Sequence, residues 1–253
     1  MKVRLDKLVT ERGLAASRER AQALILAGRV LVEEQKLTKP GHAVEATATL
    51  RLLGEDLRYV SRGGLKLEGA LTHWQIDLTG LFCMDVGAST GGFTDCMLQH
   101  GAARVLAVDT GYGQIAEPLR RDPRVTLMER TNARHLLPGQ LPAGIDFFAM
   151  DVSFISATLV LPAVVAAARV EPVERFESGK PLRAIVLVKP QFEVGRAQVG
   201  RGGIVRDPAA HAFAQERVIE SARATGATGI EMADSPITGA EGNREFLLSL
   251  WWE

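Results

Sequence analysis

The stretch Asp85-Val86-Gly87-Ala88-Ser89-Thr90-Gly91-Gly92-Phe93-Thr94 combines a carboxylate, three glycines and three hydroxyls. The apolar run Leu81-Phe82-Cys83-Met84 leads into it, and a helix is predicted to begin within or just after it. Strand, tight glycine turn and helix is the arrangement that brings a backbone close to a nucleotide-like ligand. The spacing narrows the ligand. A dinucleotide fingerprint asks for G-x-G-x-x-G, whereas position 89 is serine. A phosphate-cradling loop ends in Gly-Lys-Ser/Thr, and this turn has no lysine. An acidic residue at a strand end beside an uncharged turn suits a ligand without a pyrophosphate, such as S-adenosylmethionine. Asp85, Gly87, Ser89, Thr90, Gly91 and Gly92 are its candidate contacts. The alternative is an ordinary glycine-rich turn of an α/β fold.

Further charges fall where a second substrate could be met. Four apolar runs end in a charged residue: Leu81–Met84 at Asp85, Val105–Val108 at Asp109, Ile145–Met150 at Asp151 and Ile185–Val188 at Lys189. In open α/β sheets, ligands bind outside the carboxyl ends of the strands, so these four groups point to one polar site. Asp109 lies 22 residues after Gly87, where an acid accepts hydrogen bonds from ribose hydroxyls in nucleotide folds. Asn132 follows the strand-like Val125-Thr126-Leu127-Met128 and could touch an adenine edge; a plain loop asparagine is the alternative. Near the end, Gly239–Leu248 reads as a turn followed by a strand. If that strand runs antiparallel to the others, Glu245 joins the same edge. The glycine-rich segment from Val194 to Arg206 carries Arg196, Arg201 and Arg206, and suggests a mobile loop that closes on RNA phosphates.

The elements that position these residues divide into two parts. From about residue 60 onward, strand and helix signals alternate, which argues a parallel sheet covered by helices. Residues 1 to about 58 read differently. Leu5, Leu8 and Val9 mark a short helix ended by Gly13, and Ser17 is a plausible N-cap of a second one ended by Gly28. Val30 and Val32 begin a strand. Val44, Ala46, Ala48, Leu50 and Leu52 alternate with polar residues and predict one half-buried strand. In residues 1–30, Lys2, Arg4, Lys7, Arg12, Arg18, Arg20 and Arg29 face only Asp6, Glu11 and Glu19, a net +4. Such a cluster can grip phosphates; a solvated helix surface is the alternative.

Composition bounds the rest. The 253 residues carry thirty basic and thirty acidic side chains, so overall charge selects no partner. With 46% hydrophobic and 24% charged residues, a soluble globular chain is expected. Cys83 and Cys96 read as small buried hydrophobes in a reducing compartment rather than a disulfide or metal framework. The histidines show no metal-ligand spacing, so no metal is expected. No apolar run reaches the length of a membrane span, and the first residues lack an apolar signal core. A cytoplasmic location is expected.

Several motifs together resemble known families. Arg4–Leu8, Ser17–Ala21 and Ile25–Val30 resemble the S-four RNA-binding domain, which implies binding of structured RNA through Arg4, Lys7, Arg18, Arg20 and Arg29. Tyr59–Leu67, Asp85–Thr94, Met150–Ser156, Val188–Glu193 and Gly242–Phe246 resemble the TlyA family, S-adenosylmethionine-dependent rRNA 2′-O-methyltransferases whose catalytic part is similar to the FtsJ/RrmJ type. The resemblance implies an α/β fold: a Rossmann-like seven-stranded methyltransferase sheet at residues 59–253, preceded by a small α+β RNA-binding domain at residues 1–58. It implies S-adenosylmethionine as cofactor, and ribosomal RNA or a ribosomal subunit as partner. It also implies a Lys-Asp-Lys-Glu tetrad at Lys66, Asp151, Lys189 and Glu245, with Glu241 a nearby competitor. Asp151 serves the cofactor as well in that reading. Cytidine is the implied nucleoside, with the large subunit favoured, and a monomer is expected. The competing readings are a non-catalytic ribosome-assembly factor, a small-molecule methyltransferase, and a membrane-active hemolysin, a name the family carries.

Overall fold

Alternating apolar runs and helical segments build two compact units, Met1–Leu57 and Arg58–Glu253, in a computed structural model that describes residues 2–15, 17–53, 58–169, 181–239 and 241–253. Ala240, within the turn predicted before Glu245, lies outside the described residues.

The first unit orders β1 (Lys2–Arg4), α1 (Leu5–Glu11), α2 (Arg18–Leu26), β2 (Val30–Val32), β3 (Gln35–Lys36), β4 (Ala43–Glu45) and β5 (Leu50–Leu52). Ser17 caps α2, its hydroxyl accepting from the Arg20 amide at 3.1 Å. Leu5, Leu8 and Val9 of α1 and Ala21, Leu24 and Ile25 of α2 form one buried cluster with Val30, Val32 and Val44. The single strand predicted over residues 44–52 is corrected. The Glu45 carbonyl accepts from the Ala48 amide at 2.9 Å, so the chain turns there. Its two halves join different sheets: β4 pairs antiparallel with β1 and β5 with β2.

The second unit orders α3 (Gly63–His73), β6 (Phe82–Val86), α4 (Gly92–Gln99), β7 (Arg104–Val108), α5 (Glu117–Arg120), β8 (Val125–Met128), β9 (Phe147–Met150), α6 (Ala157–Ala168), β10 (Leu182–Val188), α7 (Pro190–Glu193), α8 (Pro208–Ala224), β11 (Gly229–Asp234) and β12 (Phe246–Trp252). Seven strands form one sheet in the order β11-β12-β10-β9-β6-β7-β8. Strands β6 to β10 run parallel, while β12 is antiparallel to both β10 and β11.

Side chains alternate between the two faces of the sheet. Phe148 and Met150 of β9 pack with α6 and α8, whereas Phe147 and Ala149 pack with α3 and α4. Burial on both faces is what lets these strands read as continuous apolar runs. From β6 the chain winds outward through β7 and β8, then returns to β9 on the other side. The carboxyl ends of β6 and β9 therefore border a topological switch point, where ligands bind in open α/β sheets.

Candidate active site

Parallel strands deliver their terminal residues to one edge. Asp151 directly follows β9 and Lys189 directly follows β10. Because β12 is antiparallel, with Phe246 opposite Val188, Glu245 arrives at that same edge. Lys66 comes from the first turns of α3, a glycine-started helix. The four side chains form a line of alternating charge. Lys189 Nζ lies 2.5 Å from Asp151 Oδ1. Lys66 Nζ lies 3.9 Å from Asp151 Oδ2 and 2.6 Å from Glu245 Oε2. Lys66, Lys189 and Glu245 are buried, and two cations matched by two carboxylates offset much of their desolvation. Lys189 Nζ also donates to Ser153 Oγ at 2.7 Å. Glu241 lines a cavity that Lys66, Lys189 and Glu245 also line.

Three adjoining cavities surround the line. The first, about 380 Å³, is lined by Ser61, Arg62, Asp85, Thr90 and Gly92 and reaches Lys66, Asp151 and Lys189. The second, about 330 Å³, shares Gly87, Ser89 and Asp151 with it and extends past Asp109 to Asn132. The third, about 310 Å³, opens on the far side of Lys66 and Lys189, between Phe154, Phe192, Gln191 and Asn243.

The first two cavities have the donors and acceptors of a nucleoside-sulfonium site. Asp85 Oδ2 accepts from the amide and hydroxyl of Thr94 at 2.8 and 2.7 Å. Its other oxygen, Oδ1, is buried with no partner among the described residues. Burial pushes this carboxyl up to about 7, with Thr94 opposing the shift and Asp151 and Asp109 adding to it. An orphaned buried carboxylate oxygen fits an ammonium group such as that of a methionine moiety. Gly87 has φ +86°, and a Cβ there would meet the Asp151 carbonyl at 2.6 Å, so only glycine lets the turn pass this close. Asp109 accepts from the amides of Ser89 at 2.7 Å and Gly111 at 2.6 Å, which fixes its carboxylate at the wall of the second cavity. Asn132 reaches that wall too, while its Oδ1 caps the next turn by accepting from the Arg134 amide at 3.1 Å. Gly91 lines neither cavity; it is the left-handed residue, φ +93°, that starts α4. Among the described residues no group of three or more His, Cys, Asp or Glu is disposed to hold a metal.

Sequence reasoning passed over several residues. Ser153 and Phe154 follow a strand-end aspartate, a signal that could have placed them at the site. Phe154 is 93% exposed, has φ +64° and sits 5.5 Å from the Phe192 ring, centroid to centroid. An exposed aromatic held in a strained backbone is a feature of ligand clamps. The Val194–Arg206 segment carries two tight turns, Arg196–Gln198 and Arg201–Gly203. Buried Asn243 pins it, accepting from the Val205 amide and donating to the Gly203 carbonyl, both at 2.9 Å. Arg196, Arg201 and Arg206 are exposed along it.

In the first unit the basic cluster has a buried centre. Asp6, 0% exposed, accepts from Arg4 at 3.0 and 2.8 Å, Arg18 at 3.1 Å and Gln22 at 3.0 Å. The Arg4 guanidinium holds its carboxyl well below the usual range, with Gln22 and Arg18 contributing. Lys7 lies 3.5 Å from Glu11, Arg20 lies in the first turn of α2, and Arg29 donates to the Leu53 carbonyl at 3.0 Å.

Comparison with known proteins gives two family matches. Residues 59–252 match the FtsJ-like methyltransferase model, and residues 3–50 match the S4 domain model. The chain is 48% identical over 252 residues to YqxC of Bacillus subtilis, provisionally named an rRNA methyltransferase, covering 99% of this chain and 86% of that one. It is 44% identical over 250 residues to the 16S/23S rRNA (cytidine-2′-O)-methyltransferase TlyA of Mycobacterium tuberculosis, covering 98% and 90%. A solved structure from Streptococcus thermophilus, provisionally described as a hemolysin, matches with a TM-score of 0.72 at 41% identity, covering 99% of this chain and 88% of that one.

Proposed function

The chain belongs to the FtsJ-like methyltransferase family, and on that premise we propose that it transfers a methyl group from S-adenosylmethionine to a ribose 2′-hydroxyl of ribosomal RNA, at cytidine. The observation that carries this reading is the Lys189–Asp151–Lys66–Glu245 line at the junction of the three cavities. The activity of the M. tuberculosis relative supports the choice of RNA and of nucleoside.

When bound, S-adenosylmethionine supplies a methyl group already activated on a sulfonium, whose carbon–sulfur bond breaks with its electron pair left on sulfur. Asp85 receives the methionine ammonium at its free oxygen. Asp109 would hold the ribose hydroxyls, and Asn132 would meet the adenine. The glycine turn from Gly87 to Gly92 gives the backbone room. Asp151 holds both lysines and adds negative charge beside the sulfonium.

On the acceptor side, Lys189 Nζ orients the 2′-hydroxyl or, as the neutral amine, takes its proton. Lys66, fixed by Glu245, orients the ribose. Phe154 and Phe192 offer an apolar face to the target nucleotide in the third cavity. Holding donor and acceptor at about 3 Å supplies much of the acceleration. The S4 unit grips rRNA phosphates through Arg4, Lys7, Arg18, Arg20 and Arg29, and the pinned loop adds Arg196, Arg201 and Arg206. No described helix is long and apolar enough to cross a membrane. The enzyme acts in the cytoplasm, where ribosomal subunits are, and as a monomer.

The test is transfer of labelled methyl from S-adenosylmethionine to purified small and large ribosomal subunits, with Lys189→Ala as control. Label in a subunit, lost in the variant, is expected. No label in either subunit despite intact cofactor binding overturns the reading in favour of an assembly factor.

A further inference from the structure

We propose that Ser153 is a positioning residue for the methyl acceptor, acting through Lys189; the proposal rests on the transfer reaction above. Ser153 lines all three cavities, so it stands where the cofactor clefts open into the acceptor cavity. Its Oγ accepts from Lys189 Nζ at 2.7 Å, and the same nitrogen lies 2.5 Å from Asp151 Oδ1.

The hydroxyl decides where the amine points: Nζ donates its hydrogen bond to Ser153 Oγ, while Asp151 Oδ1 meets it as an ion pair without a hydrogen bond. A neutral amine has two N–H bonds and one lone pair. With one N–H bond donated to Ser153 and the other drawn toward the Asp151 carboxylate by charge alone, the lone pair has one direction left. In the protonated form the third N–H occupies that direction. Either way a single valence of Nζ faces the acceptor. Asp151 alone leaves the head group free to rotate about the Cε–Nζ bond; Ser153 removes that freedom.

The two segments that carry this contact are fastened together a few residues further on. Glu193, buried at the end of α7, accepts from the Ser156 hydroxyl at 2.5 Å and from the Ala157 amide at 2.7 Å. Ser156 in turn caps α6, accepting from the Thr158 amide at 3.2 Å. The chain after Lys189 thus holds the chain after Ser153. Ser153 itself bears on Lys189 and the cavities, so its hydroxyl is separable from the fold.

The test compares Ser153→Ala and Ser153→Thr with the unaltered full chain in methyl transfer to ribosomal subunits, with cofactor affinity by calorimetry and melting temperature measured alongside. Ser153→Ala should lower kcat roughly tenfold, the scale of one hydrogen bond to a charged group, with KM for the subunit, cofactor Kd and melting temperature unchanged. Ser153→Thr, which keeps the hydroxyl, should restore most of the rate. An unchanged kcat in Ser153→Ala overturns the proposal. So does a slow Ser153→Ala whose cofactor Kd or melting temperature moves in step, because the role is then structural. Failure of the unaltered protein to transfer methyl at all strikes the functional reading instead.

Discussion

Glu245 Oε2 lies 2.6 Å from Lys66 Nζ, joining the first helix of the methyltransferase unit to the start of its last strand. The second carboxylate near Lys66, that of Asp151, is farther away at 3.9 Å and is held by Lys189 at 2.5 Å. Glu245 is therefore the principal counter-charge of Lys66. Replacing it with glutamine keeps the shape and removes the charge. Single-turnover methyl transfer by Glu245→Gln should fall about 100-fold, within the range of a positioned acid–base group. Its cofactor Kd, by calorimetry, should change less than about threefold, because Glu245 lies outside the two cofactor cavities. A wild-type rate in this variant removes Glu245 from the machinery.

Asp85 predicts a pH dependence of cofactor binding. Burial raises its carboxyl to about 7, so the protein without cofactor holds a proton there below that pH. A cationic ammonium selects the ionised form. Binding therefore costs a proton below pH ~7 and none above it. The Kd for S-adenosylmethionine should drop by up to about tenfold per pH unit as pH rises toward 7, then level off. The stability of the cofactor-free protein moves the other way. The raised folded value means that Asp85 lowers stability progressively as pH rises from the unfolded value of about 4 to about 7. Asp85→Asn should flatten the binding profile and weaken affinity at pH 8. A profile that persists in Asp85→Asn assigns the titration elsewhere.

Gly87 tests the closeness of the two cofactor-bearing loops. A methyl group there would meet the Asp151 carbonyl at 2.6 Å, in a left-handed backbone. Gly87→Ala should displace the Asp151 segment, lower cofactor affinity at least tenfold and cost about 1–3 kcal/mol of stability. Calorimetry and thermal melting measure both. Unaltered affinity would show that the turn tolerates a Cβ and that the approach is not required.

The charges at strand ends are legible because parallel strands all finish at one edge, and an apolar run stopping at Asp109, Asp151 or Lys189 marks that edge directly. Glu245 is legible only on the condition that its strand is antiparallel, which the Val188–Phe246 register meets. The burial of Lys66 is not legible: a helix lysine is ordinarily solvated, and what encloses this one comes from other elements. Nor is the Lys189–Ser153 hydrogen bond, which depends on a side-chain direction at a loop. The alternation over residues 44–52 misleads because Ala46 and Ala48 keep the period of two through a turn. The hydrogen bonds of Asn243 to the Val194–Arg206 segment are not legible either, because Asn243 lies far along the chain.

The first unit makes a last prediction about RNA. Arg18 and Arg4 share the buried Asp6 carboxylate while their own side chains remain half exposed, so Asp6 aims two cations that can still meet phosphate. Arg18→Ala removes one phosphate contact and leaves Arg4 in place. Its affinity for rRNA should fall by a similar factor for every RNA tested, and the slope of log K against log salt should shrink by about one. Cofactor Kd should stay constant, since the described residues lining the cofactor cavities belong to the second unit. Asp6→Asn acts differently. It keeps both arginines but takes away the charge that orients them, and removing one member of a buried pair destabilises more than losing an exposed one. Asp6→Asn should therefore lower the melting temperature of the first unit as well as RNA affinity, whereas Arg18→Ala should lower mainly the affinity. Filter binding across a salt series, paired with melting of the full-length protein, separates the two. Equal salt slopes in Arg18→Ala and the unaltered protein would remove Arg18 from the RNA contact.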